Sequence, residues 1–205
     1  CEETKGYQLK EINRKIDQDV KGFLEETDAQ YAAKVSAAAD VILNNLKNSP
    51  IVLLSGPSGS GKTTTALKIK EELEKRGVRS HTISMDNYFK TLNPKTAPRT
   101  ADGMLDFESP ECMDMDLLRH HFSLLSKGEP IMVPKFEFAR QMRMSHMGTH
   151  LRLGKNEVAI FEGIHALNDD IAGRHPEATK LYISARSNVM DGKLEGFVTS
   201  YLQKL

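Results

Sequence analysis

The sequence predicts an α/β domain, a parallel sheet with helices on both faces, preceded by an N-terminal helical extension. Three observations point there. A glycine-rich loop stands between an apolar run and a helix-forming stretch, a second apolar run ends on a carboxylate, and two helical stripes precede residue 48.

Taken in order, Leu9, Ile12, Ile16, Val20, Phe23 and Leu24 recur at helical spacing and predict an amphipathic helix over Tyr7–Glu26. Asp28 can cap a second helix through Leu46, with Ala32, Val35, Ala39, Ile42 and Leu43 on one face and Asn48-Ser49-Pro50 closing it. Residues 1–48 thus read as a helical hairpin, either a layer on the following domain or a surface for dimerisation. Residues 49–205 read as one domain.

Ile51–Leu54 is a continuous apolar run, the pattern of a strand buried on both faces. Thr63–Arg76, closed by Gly77, predicts a helix, and Val78–Met85 a strand. Strand, helix and strand in that sequence imply a parallel crossover. Three prolines and Gly103 leave Thr91–Pro110 irregular, as a loop on the substrate side. Glu111–Ser126 predicts a helix, Ile131–Phe138 an extended segment interrupted by Pro134, and Val158–Phe161 and Leu181–Ser184 two further strands.

Composition narrows the function. The 205 residues hold 28 basic and 28 acidic side chains, so no excess charge points to nucleic acid or a membrane surface, and an anionic ligand must be held locally. Cys1 and Cys112 lack metal-ligand spacing, and no apolar run has the length of a membrane span. A cytoplasmic protein is expected, with self-association left open.

Gly56-Pro57-Ser58-Gly59-Ser60-Gly61-Lys62-Thr63 satisfies the phosphate-loop pattern G-x-x-x-x-G-K-[ST] between strand and helix. Its glycines let backbone N–H groups converge on phosphate oxygens, and the start of the helix adds its positive end. Gly56, Ser58, Gly59, Ser60, Gly61, Lys62, Thr63 and Thr64 are the expected nucleotide contacts, Lys62 reaching the β and γ phosphates and Thr63 offering Mg²⁺ a hydroxyl. ATP and Mg²⁺ are the expected cofactors.

Two carboxylates extend the site. Asp86 follows the strand Val78–Met85 and Glu162 ends the strand Val158–Phe161, both at carboxyl ends, where open parallel sheets bind ligands. Asp86 is placed to accept a proton from an attacking hydroxyl or to orient Mg²⁺, and Glu162 to hold the metal's water. His165, with no second ligand at useful spacing, reads as structural.

Ser84-Met85-Asp86-Asn87-Tyr88-Phe89, Asp106-Phe107-Glu108-Ser109-Pro110, Pro134-Lys135-Phe136-Glu137-Phe138 and Phe161-Glu162-Gly163-Ile164-His165-Ala166-Leu167 resemble, in that order, the uridine kinase and phosphoribulokinase group. The resemblance runs from Ile51 to Ser184. It implies phosphoryl transfer from ATP to the 5′-hydroxyl of a nucleoside, with Asp86 and Lys62 catalytic and Thr63, Asp86 and Glu162 at the metal. It also implies that Glu108 holds the ribose where the family has aspartate, with Phe107 beside it and Tyr88 flanking the acceptor. Phe136 stands for the family's tyrosine, Gln141 for its histidine, and Arg143 for an arginine near the base.

Because Phe136 and Gln141 replace groups that read the pyrimidine, a kinase for another hydroxyl compound such as a sugar phosphate stays open. So does an ATP-sensing module without an acceptor. The family's arginine-rich lid should follow Ser184, yet only Arg186 precedes an amphipathic stretch, Lys193–Leu205. The lid is expected to be reduced, or left out near residues 185–192, with the chain beyond about 191 belonging elsewhere.

Overall fold

The computed structural model describes residues 29, 31–56, 62–106, 108–144 and 146–183. The expected helix Tyr7–Glu26, the loop residues Pro57–Gly61, Phe107 and the chain from Ser184 onward lie outside them. The described elements are helices α1 (residues 31–45), α2 (Lys62–Lys75) and α3 (Met115–Ser126) and strands β1 (Ile51–Ser55), β2 (Arg79–Ser84), β3 (Ile131–Val133), β4 (Phe136–Glu137), β5 (Met142–Arg143), β6 (Thr149–Leu151), β7 (Glu157–Glu162) and β8 (Thr179–Tyr182). Four of the strands form one parallel sheet in the order β2-β7-β1-β8.

Period-two alternation in the central strands divides the apolar residues between two layers. Ile51, Leu53, Ala159 and Phe161 face one side, where α3 packs Leu118, Phe122 and Leu125 against them. Val52, Leu54, Val158 and Ile160 face the other, under Val35, Ala38, Ala39 and Ile42 of α1 and Ala66, Ile69 and Leu73 of α2. Because both faces are covered, β1 is buried along its whole length, as its unbroken apolar run requires.

Polar staples hold α1 on its layer. Arg76, just past α2, bonds Asp40 and the Ser36 hydroxyl (2.7 Å) on α1 and Glu72 (3.1 Å) on its own helix. Asn45 donates to the Glu177 carbonyl (2.9 Å) and the Thr179 hydroxyl (2.8 Å) at the entry to β8. The second expected helix is therefore a layer on the sheet.

Several boundaries differ from expectation for local reasons. The helix expected from Glu111 starts at Met115, because a 3₁₀ turn occupies Pro110–Cys112 and Asp114 caps α3 by accepting from the Leu117 amide (3.1 Å). The extended segment Ile131–Phe138 breaks at Pro134 into β3 and β4, which pair antiparallel with β6 and β5. The last strand begins at Thr179, two residues before its expected start.

Candidate active site

The carboxyl ends of three strands lie in register. Glu162, the last residue of β7, pairs with Leu54 of β1 on one side and with Ser84, the last residue of β2, on the other. Beyond that row β1 runs into Gly56 and, after the loop, into Lys62 and Thr63 at the start of α2. Beyond β2 the chain enters a 3₁₀ turn, Met85–Tyr88, whose first residues include Asp86, and Ser84 caps it by accepting from the Asp86 amide (3.3 Å). Beyond β7 comes Gly163, where a Cβ would lie 2.9 Å from the Met85 Cβ. No side chain larger than hydrogen fits without moving that turn.

Two acidic side chains thus share the sheet edge with one lysine. Burial pushes the Asp86 carboxyl above the usual range, opposed by Lys62 and His165. Burial also raises Glu162, which is 8% exposed, and the neighbouring Asp86 charge adds to it; Lys62 and hydrogen bonds from the Ser84 and Thr63 hydroxyls oppose the shift. Two half-repelling carboxylates beside a threonine hydroxyl make an all-oxygen donor set, which suits Mg²⁺. Among the described residues no group of three or more His, Cys, Asp or Glu could hold a metal, so a cation here must take other ligands from phosphate or water.

The expected substrate residues are placed unevenly. Glu108 is exposed, its amide bonded to the Asp106 carboxylate (3.1 Å). Tyr88 is fully buried, its hydroxyl 2.8 Å from Nδ1 of His121, so it serves the core in this conformation. Phe136 is buried too, with rings of Phe89 at 5.5 Å and Phe138 at 4.9 Å, while Phe138 is half exposed. Gln141 is exposed in the turn between β4 and β5 with φ of 52°, a left-handed position. Arg143 donates to Asp114 (3.0 Å) and to the carbonyls of Tyr88 (3.4 Å) and Phe89 (3.3 Å), tying β5 to the Asp86 turn. Arg99 closes its own loop on the carbonyls of Gly103 (2.7 Å) and Pro94 (2.9 Å).

Reading the sequence alone missed Ser84 and the placement of His165. Ser84 could have been found from its position at the end of the strand before Asp86. His165 carries no local signal, since only the folded chain brings it to Glu108.

Similarity to known proteins follows the same stretch. A family model described as the Phosphoribulokinase / Uridine kinase family matches residues 51–190. The chain is 35% identical over 117 residues to a uridine kinase of Schizosaccharomyces pombe, covering 57% of this chain and 25% of the relative. It is 30% identical over 139 residues to a uridine kinase of Deinococcus deserti, covering 68% of this chain and 63% of the relative. A uridine-cytidine kinase A of Dictyostelium discoideum is 34% identical over 123 residues, or 60% of this chain and 23% of the relative. The chain therefore spans less than two thirds of these relatives' length. Among solved structures, a possible uridine kinase from Bacillus stearothermophilus shares the fold with a TM-score of 0.52 at 18% identity, over 75% of this chain and 82% of that one. With its parallel sheet, its phosphate-loop sequence and a family match across two thirds of its length, the chain belongs to the phosphoribulokinase and uridine kinase family.

Proposed function

We propose that the protein is a nucleoside kinase that transfers the γ-phosphoryl group of ATP to the 5′-hydroxyl of a uridine- or cytidine-like acceptor. The observation that carries this reading is the meeting of Asp86, Glu162, Lys62 and Thr63 at one sheet edge. A phosphate loop alone serves a sensor equally well, but a sensor has no use for a proton acceptor beside the γ-phosphate.

In the proposed mechanism Asp86 accepts the proton of the attacking hydroxyl as the new O–P bond forms. Its raised affinity for protons brings it nearer to neutral pH than an ordinary aspartate and improves it as a base. Lys62 offsets charge on the phosphates, and the helix start behind Thr63 adds its dipole. Thr63, Glu162 and Asp86 would hold Mg²⁺, which, when bound, draws charge from the phosphate oxygens. Glu108 accepts hydrogen bonds from the acceptor's ribose hydroxyls and so aims its 5′-oxygen at Asp86. Gly56, Ser58, Gly59, Ser60, Gly61 and Thr64 are the proposed contacts to the nucleotide's phosphates.

A second reading keeps the same chemistry with another small hydroxyl acceptor, such as a sugar phosphate. It is favoured by Phe136, whose ring is enclosed by Phe89 and Phe138 and offers a base no hydrogen bond. ADP release with a panel of nucleosides and sugar phosphates separates the two. With the right acceptor, Asp86→Asn should lower kcat about 10²–10⁴-fold and leave the ATP requirement nearly unchanged. ADP release independent of any acceptor, or undiminished in Asp86→Asn, would remove the kinase reading.

A further inference from the structure

β2 is the outermost strand of the parallel sheet and, among the described residues, pairs with β7 alone. Its far edge therefore offers backbone N–H and C=O groups that no neighbouring strand takes up. A cavity of about 330 Å³ runs along that edge, from His81 to Ser84 and on to Asn87. The antiparallel pair β3 and β6 adds Val133, Thr149, His150 and Leu151 to its wall, and α2 adds Lys70. The volume lies at the lower end of the range for small-molecule sites.

The wall is one-sided in charge. Lys70, His81 and His150 bring an ammonium and two imidazoles to it, beside three hydroxyls and one amide, and no described residue of the lining is acidic. Lys70 has Glu74 one turn further along α2 and makes no ion pair with it, whereas Lys68 on the same helix pairs with Glu71 at 3.4 Å. The His150 ring is exposed and has no side-chain partner among the described residues. His81 engages Glu157 through one ring nitrogen (3.3 Å) and keeps the other; that carboxylate lies off the wall and also accepts from the Gly154 amide (2.9 Å). The Thr82 hydroxyl has no partner in the protein, a cost that valine, of the same shape, would avoid.

We propose that this cavity is a second phosphate-binding site, for a small effector, separate from the nucleotide loop and from the acceptor's place. Phosphate is the anion that suits the wall, because its oxygens accept several hydrogen bonds at once and ammonium, imidazole and hydroxyl donors from α2, β2 and β6 face one space. A carboxylate has two oxygens and would leave part of that donor set unused. None of Lys62, Asp86, Glu108, Gln141 and Arg143 lines the cavity, so filling it requires neither nucleotide nor acceptor. It still adjoins the turn that carries the proposed base: Asn87 follows Asp86, and the Ser84 hydroxyl accepts from the Asp86 amide (3.3 Å). An anion seated there bears on that turn from outside the sheet. The site goes beyond the kinase reading and stands without it.

The test titrates inorganic phosphate at fixed pH and ionic strength and follows the histidine ring signals by NMR. His81 and His150 should shift together along one saturating curve, while His120, His121 and His175, which do not line the cavity, stay in place. Lys70→Met should weaken the midpoint about tenfold or more, the loss of one charged hydrogen bond. His150→Ala, at an exposed position, gives a second variant, its weakened midpoint read at His81. A sugar monophosphate that saturates at lower concentration than inorganic phosphate identifies a phosphate ester as the ligand, and the reverse order identifies free phosphate; either result supports the site. Shifts that sodium chloride reproduces at equal ionic strength, shifts that never saturate, or midpoints unchanged in both variants would overturn it. Malonate saturating as readily as phosphate would overturn the assignment to phosphate. These readouts need no turnover, so a chain that phosphorylates no acceptor would sink the kinase reading and leave the cavity to be judged by its own titration.

Discussion

Replacing Gly163 by alanine should disturb catalysis through a contact that involves no reacting group. The added Cβ would lie 2.9 Å from the Met85 Cβ, with Met85 Sδ and Cγ at 3.5 and 3.6 Å. Ordinary carbon contacts begin near about 3.4 Å, so the two backbones must part by roughly 0.5 Å. Met85 cannot yield by rotation alone, because the nearest atom is its own Cβ. Forcing a methyl into a packed interior costs about 1–3 kcal/mol. Alanine recovers about 0.4–1 kcal/mol through its less flexible unfolded chain. A net loss of about 1–2 kcal/mol follows, or a fall in Tm of about 3–6 °C for a domain of this size. Since Asp86 is the next residue after Met85, the base moves with the turn. A misplacement of about 1 Å can cost about 100-fold in rate, so half of that should cost on the order of tenfold in kcat. Urea denaturation and acceptor-dependent ADP release measure the two effects. Undiminished stability would mean that the turn gives way freely, and lost stability with wild-type kcat would mean that Asp86 does not ride on Met85.

Three other outcomes follow from contacts already described. Burial lowers the His121 pKa to about 4 while the unfolded chain titrates near about 6.5, so the unfolded state takes up a proton that the folded state refuses, and stability falls as pH drops through that window. Urea midpoints near pH 7 and near pH 5 should differ by about 2 kcal/mol more in wild type than in His121→Asn; equal pH dependence would show that His121 protonates freely in the fold. Arg143→Met removes the charged partner of the Asp114 carboxylate and a donor to the Tyr88 and Phe89 carbonyls and should lose about 1–3 kcal/mol in thermal or chemical unfolding, while an unchanged midpoint would make the β5 staple dispensable. Glu108→Ala should raise the acceptor KM about tenfold or more and move the ATP KM less than about twofold, and an unaltered acceptor KM would take Glu108 out of the site.

How much of this could be read before folding depends on how local each cause is. β1, α2 and β2 were legible because an apolar run, a glycine loop and a helical stripe each announce themselves within a dozen residues. Asp86 and Glu162 were legible because a strand's carboxyl end is a position along the chain as well as in space. β5 and β6, two and three residues long, are too short to show a period, and they form only by pairing with β4 and β3. The roles of Tyr88 and Arg143 depend on His121 and Asp114, more than 25 residues away, which no local pattern reveals. His165 is the extreme case, a residue whose surroundings belong to three separate turns.

The layer formed by α1 bears on how the protein can be dissected. Tyr31, in its first turn, lies 3.3 Å from Thr65 in the first turn of α2, two residues past Thr63. A fragment trimmed to begin at β1 would keep every motif of the family yet strip Val35, Ala38, Ala39 and Ile42 from Val52, Leu54 and Ile160, baring a greasy slab that invites clumping. It would also free the helix that carries Lys62 from its outer brace at Arg76. The smallest portion worth expressing therefore starts ahead of residue 31, and anything fused or docked there tugs on the nucleotide end of the sheet through a single helix.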